Sequence, residues 1–205
     1  MSRPIFDPEF WRSRLDEAPS NMMHHAVFKC RLDVWQSIEE KHSKILNQNV
    51  GPGTRILDVG CGWGRLLDLL PDRWRASYNR QYYGVDLSPD FISMGEVMYG
   101  SNPDYNTENR DQIHFYCGDV RDVIQGWFPP NPRFDLGVMI SIRPMIIREI
   151  GEDTWAEIQT VLLGCCDRLL FLEYDTTDDG ELMSVTKNRE TGEEETITWQ
   201  AYKSG

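Results

Sequence analysis

Apolar positions follow two rhythms, and the change comes near Arg55. Ahead of it Phe28, Leu32, Trp35, Ile38 and Ile45 recur at helical spacing, with Lys29, Glu39, Glu40 and Lys41 on the other side, which predicts an amphipathic helix over about 24–47. Gly51, Pro52 and Gly53 end it. Asp7 followed by Pro8 reads as an N-cap and a first helical residue, so a shorter helix runs through Glu17 and stops ahead of Pro19. From Arg55 onward short apolar runs alternate with helical segments. RILDVG, YYGVDLS, IHFYCGDV, FDLGVMIS and RLLFLEYD read as five strands of the kind buried in a parallel sheet. Between them helices are expected over 64–70, over 89–99 behind a Ser88 cap, and over about 153–166, where Trp155, Ile158, Leu162 and Cys165 keep the helical period. Such alternation implies right-handed crossovers and an α/β fold with an open, doubly wound, mostly parallel sheet. Beyond Asp175 the pattern changes again: SVTKNRE and EETITW flank Thr191 and Gly192, predicting a terminal antiparallel hairpin.

With 205 residues and 40% hydrophobic content the chain suits one core. It is read as a single domain, with a helical cover over 1–50, a core over 55–175 and the hairpin over 176–205.

The stretch Leu57-Asp58-Val59-Gly60-Cys61-Gly62-Trp63-Gly64 leads from a strand through alternating glycines into a helix. Glycine lets backbone turn tightly and lie flat against a ligand, and a helix start presents unpaired N–H groups. A glycine-rich turn can also be purely structural, and the next two strands decide between the readings. Asp86 closes YYGVD, 22 positions past Gly64 (86 − 64), where a carboxylate can accept both hydroxyls of a ribose. Gly118-Asp119-Val120 closes the third strand, where a carboxylate could take the exocyclic amine of an adenine.

On these residues the chain resembles the class I, Rossmann-like S-adenosylmethionine (SAM)-dependent methyltransferases: LDVGCGWG is similar to their first motif, GVDLSP to their second and CGDV to the adenine-contacting one, over about Arg55 to Asp175. The resemblance implies SAM as cofactor and a seven-stranded sheet of order 3-2-1-4-5-7-6. It places Asp58, Gly60, Cys61 and Gly62 around the methionine portion, Asp86 on the ribose, Leu87 on the adenine face, and Asp119 with Val120 at the adenine; Ser141 is also taken as bordering the cofactor. The segment after the fifth strand looks too short for the family's usual helix there. The sequence Ser141-Ile142-Arg143-Pro144 after the fourth strand is not the NPPY-like motif of amino-methylating enzymes acting on DNA adenine or glutamine. A nicotinamide dinucleotide would favour GxGxxG, whereas the spacing here is GxGxG; an NAD-dependent oxidoreductase is the weaker alternative.

Methyl transfer needs an aligned, dry acceptor more than a strong base. Candidate groups for the acceptor side are Ser141 and Arg143 after the fourth strand, Tyr174 and Asp175 after the fifth, and His24 or His25, either of which could accept a proton. Arg143 could clamp a carboxylate or phosphate through two parallel hydrogen bonds. A net charge of −12 and a pI near 4.7 work against polyphosphate partners, so the acceptor is expected to be a small, anionic molecule and not nucleic acid. A domain that binds SAM without turnover, as a sensor or partner subunit, remains the other reading. Five cysteines without a CxxC pair suit reduced thiols, and MSRPIFDPEF lacks an apolar leader core, so a cytoplasmic protein without a membrane span or metal centre is expected. Trp63, Trp127 and Trp155 are expected in the core or in pocket walls.

Overall fold

The computed structural model describes residues 32–77, 79–100, 113–140, 142–143, 146–147, 151–174 and 182–199. The expected helix near Asp7, together with His24, His25, Ser141 and Asp175, lies outside them.

Helix α1 (Leu32–Asn49) enters the sheet at β1 (Arg55–Val59). The glycine loop then leads to α2 (Leu66–Leu69) and α3 (Asp72–Arg75), after which come β2 (Gln81–Asp86), α4 (Pro89–Gly95), β3 (Ile113–Cys117), α5 (Val120–Trp127) and β4 (Phe134–Ile140). Helix α6 (Glu152–Cys165) leads into β5 (Cys166–Tyr174), and the chain closes with β6 (Leu182–Asn188) and β7 (Glu194–Trp199). All five predicted core strands form, and each pairs in parallel with its neighbours in the order β3-β2-β1-β4-β5.

The far edge departs from the order 3-2-1-4-5-7-6. Here β6 lies against β5 and β7 against β6, both antiparallel, giving β3-β2-β1-β4-β5-β6-β7. The reason is length: a parallel return needs a crossover of about a dozen residues or more, and only 175–181 separates β5 from β6. A meander is what so short a link permits. Asn188 shapes the hairpin turn, its side chain accepting from the N–H groups of Glu190 and Thr191.

Each face of the sheet buries its own core, as the apolar runs on both sides of the strands require. On one face Ile56, Tyr82, Leu136, Val138 and Leu170 pack against Ile45 and Leu46 of α1, Val50 just past its end, and Leu66 and Leu67 of α2. On the other Leu57, Val59, Val85, Met139 and Phe171 meet Val120, Val123 and Ile124 of α5 and Trp155, Ile158 and Leu162 of α6. Asp58 alternates with Leu57 and so belongs to the α1 side, beside Tyr82.

Three local features differ from expectation. Helix α4 gives way at Glu96 to a π-helical turn through Gly100, and α3 and α5 were not anticipated. In α3 the buried Trp74 donates its indole N–H to the Thr54 carbonyl at 2.7 Å, pinning the helix beneath the start of β1. Trp63 and Trp155 are buried, but Trp127 is 71% exposed. It is the last residue of α5, and the adjacent Phe128 turns inward instead, meeting Tyr83 and Phe134 at 5.4 and 5.3 Å between ring centroids.

Candidate active site

The carboxyl ends of β1, β2 and β3 bring the three motifs together. The glycine loop folds back onto β2: the N–H groups of Gly60 and Cys61 both donate to the Val85 carbonyl, at 2.8 and 3.1 Å. Two of its glycines serve different ends. Gly64 holds φ +87°, and a Cβ there would lie 2.7 Å from the Phe115 ring, so it lets β3 pack close beneath the helix start. Gly62 holds φ +55°, but among the described residues nothing lies within 4 Å of where its Cβ would stand. No packing demand from those residues excludes a side chain at Gly62; the bare backbone there forms a cradle open toward them. Gly62→Ala should therefore fold with about 1 kcal/mol less stability, the cost of a left-handed alanine, which thermal melts would read.

Cys61 points the other way. Its buried Sγ donates to the Gly62 carbonyl at 3.3 Å and occupies the niche beside Gly84, where a Cβ would come within 2.9 Å of it. Burial, with the charges of Asp58 and Asp86, pushes its thiol well above the ordinary range. It is a filler and not a nucleophile.

The three carboxylates occupy distinct environments. Asp58 is buried and accepts from the Tyr82 hydroxyl at 2.7 Å. Burial raises its pKa to about 7, the Tyr82 bond works against that rise, and the charge of Asp86 adds to it. Asp86 accepts from the Gly62 N–H at 2.9 Å through Oδ2 and from the Ser88 N–H at 2.8 Å through Oδ1, so it ties the loop after β1 to the loop after β2. Burial raises its pKa while those backbone donors oppose the rise. Asp119 caps α5, accepting from the Arg121 N–H at 2.9 Å, and its two oxygens also take the Arg121 guanidinium at 3.0 and 2.7 Å. Against the opposing pull of burial, those bonds and the Arg121 charge lower its pKa. Arg121 reaches on to Glu157 of α6 at 2.8 Å. Among the described residues Oδ1 of Asp119 thus accepts twice and Oδ2 once, which leaves one Oδ2 lone pair for an outside donor.

Leu87 is half-buried beside Asp86, and Val120 is buried as the first residue of α5. At the end of β4 the Arg143 guanidinium carbon sits 5.4 Å from the Phe171 ring centroid and 5.8 Å from that of Trp155, and the two rings meet edge to face. Tyr174 closes β5, its side chain outside the described residues.

Tyr82 and Arg121 were not singled out from sequence. For Arg121 a signal existed, an arginine two residues past a capping aspartate. For Tyr82 there was none, since its approach to Asp58 depends on the register of two strands. His42, too far from the other histidines in sequence to suggest a metal site, is buried on α1; among the described residues neither ring nitrogen has a hydrogen-bond partner, and burial, assisted by the charge of Arg65, lowers its pKa to about 3. Among the described residues no cluster of three or more His, Cys, Asp or Glu side chains could hold a metal ion, and no helix is long and apolar enough to cross a membrane.

A parallel sheet with a glycine loop after β1 and carboxylates closing β2 and β3 defines the class I, Rossmann-like methyltransferases, whose methyl donor is SAM. Residues 56–163 match the model of a family described as a methyltransferase domain, and the chain belongs to that family. No curated protein matches it. Among solved structures it is similar to the bifunctional kinase-methyltransferase WbdD, at 23% identity and TM-score 0.44, over 69% of this chain and 28% of that one. It is also similar to a TehB-like SAM-dependent methyltransferase from Corynebacterium glutamicum (19%, TM-score 0.45, 66% and 62% covered). A third is PKMT2 from Rickettsia typhi in complex with AdoHcy (18%, TM-score 0.45, 68% and 25% covered). The chain spans less than two thirds of each of these proteins.

Proposed function

We infer that this domain binds SAM across the carboxyl ends of β1, β2 and β3 and directs its methyl group to a small, anionic acceptor held beside Arg143. The observation that carries the cofactor assignment is the open backbone cradle at Gly62, tied to Asp86. In this reading Asp58 faces the ammonium of the methionine portion, Gly60 and Gly62 border it, Asp86 takes the ribose hydroxyls, Leu87 packs on the adenine, and the remaining Oδ2 lone pair of Asp119 receives the adenine amine beside Val120.

Bound SAM supplies an electrophilic methyl group on a sulfonium. What is left to the protein is to hold the acceptor in line and keep water away. Arg143, seated against Trp155 and Phe171, is suited to that, because an aromatic wall restricts the guanidinium plane and a guanidinium is the side chain that takes a carboxylate or phosphate through two parallel bonds. The net charge of −12 supports a small acceptor over a polyanionic one. Ser141, His24 or His25 would take or relay a proton where the acceptor is a hydroxyl or amine.

Arg143→Lys should lower turnover about tenfold or more while changing SAM affinity less than twofold, since a point charge cannot reproduce the fork. A screen of carboxylate- and phosphate-bearing metabolites, followed by S-adenosylhomocysteine formation, tests the acceptor. Transfer to tRNA, DNA or protein with none to metabolites would overturn the small-molecule reading; SAM binding without turnover on any acceptor would favour a sensor or partner subunit.

A further inference from the structure

Asp58 is the member of the acid triplet withdrawn furthest from solvent, and its surroundings oppose its charge. The ionisable groups around it are Tyr82 and Asp86 on β2 and Cys61 in the glycine loop. Behind Tyr82 stands Tyr99, which donates to Asp68 at 2.8 Å. On α1, packed over the same face, the buried ionisable side chains are Lys41 and His42, and Arg65 at the start of α2 acts on His42. Among the described residues, the Tyr82 hydroxyl is the donor placed on an Asp58 oxygen. Tyr82 itself is fully buried, its ring edge-on to Phe115 at 5.7 Å. A buried phenol could have been phenylalanine as far as packing is concerned, and a hydroxyl aimed at a buried carboxylate is the part packing does not explain.

We propose that Tyr82 is a positioning residue for the cofactor: its hydroxyl fixes the Asp58 carboxylate and favours its charged form for the ammonium of SAM. This rests on the assignment of Asp58 to the methionine portion. Among the described groups around Asp58, Cys61 and Tyr82 remain protonated and His42 remains neutral through the physiological range, which leaves Asp58 and Asp86, and Asp86 is common to the parent and the variants below.

The test is calorimetric titration of S-adenosylhomocysteine, which carries the same ammonium, into the parent, Tyr82→Phe and Asp58→Asn between pH 5.5 and 8. Parent binding should fall away as Asp58 takes a proton. Phenylalanine keeps the ring and removes the hydroxyl, so Tyr82→Phe should bind about fivefold more weakly at pH 7, recover toward pH 8, and show its acid limb displaced upward by roughly one unit. Asp58→Asn should lose the Asp58 limb altogether. Difluorotyrosine placed at position 82, a stronger donor of nearly the same size, should move the limb the opposite way, and it decides the matter if Tyr82→Phe does not fold. A uniform loss at all pH values in Tyr82→Phe, or no loss, with the limb unmoved, overturns the proposal while leaving Asp58 in place. An unchanged acid limb in Asp58→Asn removes the Asp58 assignment and the proposal with it. Absence of binding to the parent removes the cofactor reading as a whole.

Discussion

Asp58→Asn should make the unliganded protein more stable at pH 8 and, at the same pH, a poorer binder of SAM. A carboxyl whose pKa lies at 3.8 in the unfolded chain and about 7 in the folded one favours the fold most fully below the lower value, and that contribution fades as pH rises through the higher one. At about 1.4 kcal/mol per unit the difference is on the order of 4 kcal/mol. Asparagine carries no charge at any pH, so the variant lacks this dependence. Its amide also brings two donors into a pocket built for an acceptor, which takes back about 1–3 kcal/mol, and the slope is therefore a sharper sign than the offset. Urea denaturation at intervals from pH 4 to 8 should show the parent losing stability relative to the variant across that window. Parallel curves would mean that Asp58 is not held in the environment described. The charge that weakens the empty fold is the one a bound ammonium would satisfy, so stability and function pull opposite ways at this residue.

Asp86→Ala should cut SAM affinity by about 2 kcal/mol, or roughly thirtyfold, the scale of hydrogen bonds between a charged group and a ligand. The structure adds a second consequence. Asp86 holds the Gly62 and Ser88 N–H groups, so alanine also releases the two loops and should lower the unfolding free energy by about 1–3 kcal/mol. Asp86→Asn keeps one acceptor oxygen and should retain part of both properties. Calorimetry and thermal melts on the same samples separate them: binding equal to the parent in both variants would remove the ribose role, and unchanged melting would remove the role in tying the loops.

The five core strands were legible because strands buried on both faces leave continuous apolar runs, and the glycine loop, Asp86 and Asp119 could be placed at neighbouring strand ends because they sit where those runs end. Helix α5 was missed although Asp119 caps it and Val120, Val123 and Ile124 carry its buried side; eight residues between a strand and a proline-rich turn give too short a window for the period to show. The hairpin was visible and its place in the sheet was not, since strand order beyond β5 depends on whether the link can cross over. Burial of polar residues left no trace either: nothing in the sequence marks His42 as sealed or Cys61 as turned inward. These facts belong to packing between segments distant in the chain. The acceptor side is the least legible part, because a positioned acceptor needs few specific groups, and those few lack a fixed spacing.

The strand-end loops should form a SAM site that needs no divalent metal. Titration calorimetry of the purified protein with SAM in the presence of a chelator should give one-site binding at micromolar concentrations, unchanged by the chelator. No heat at high micromolar SAM, or binding that the chelator abolishes, would rule such a site out.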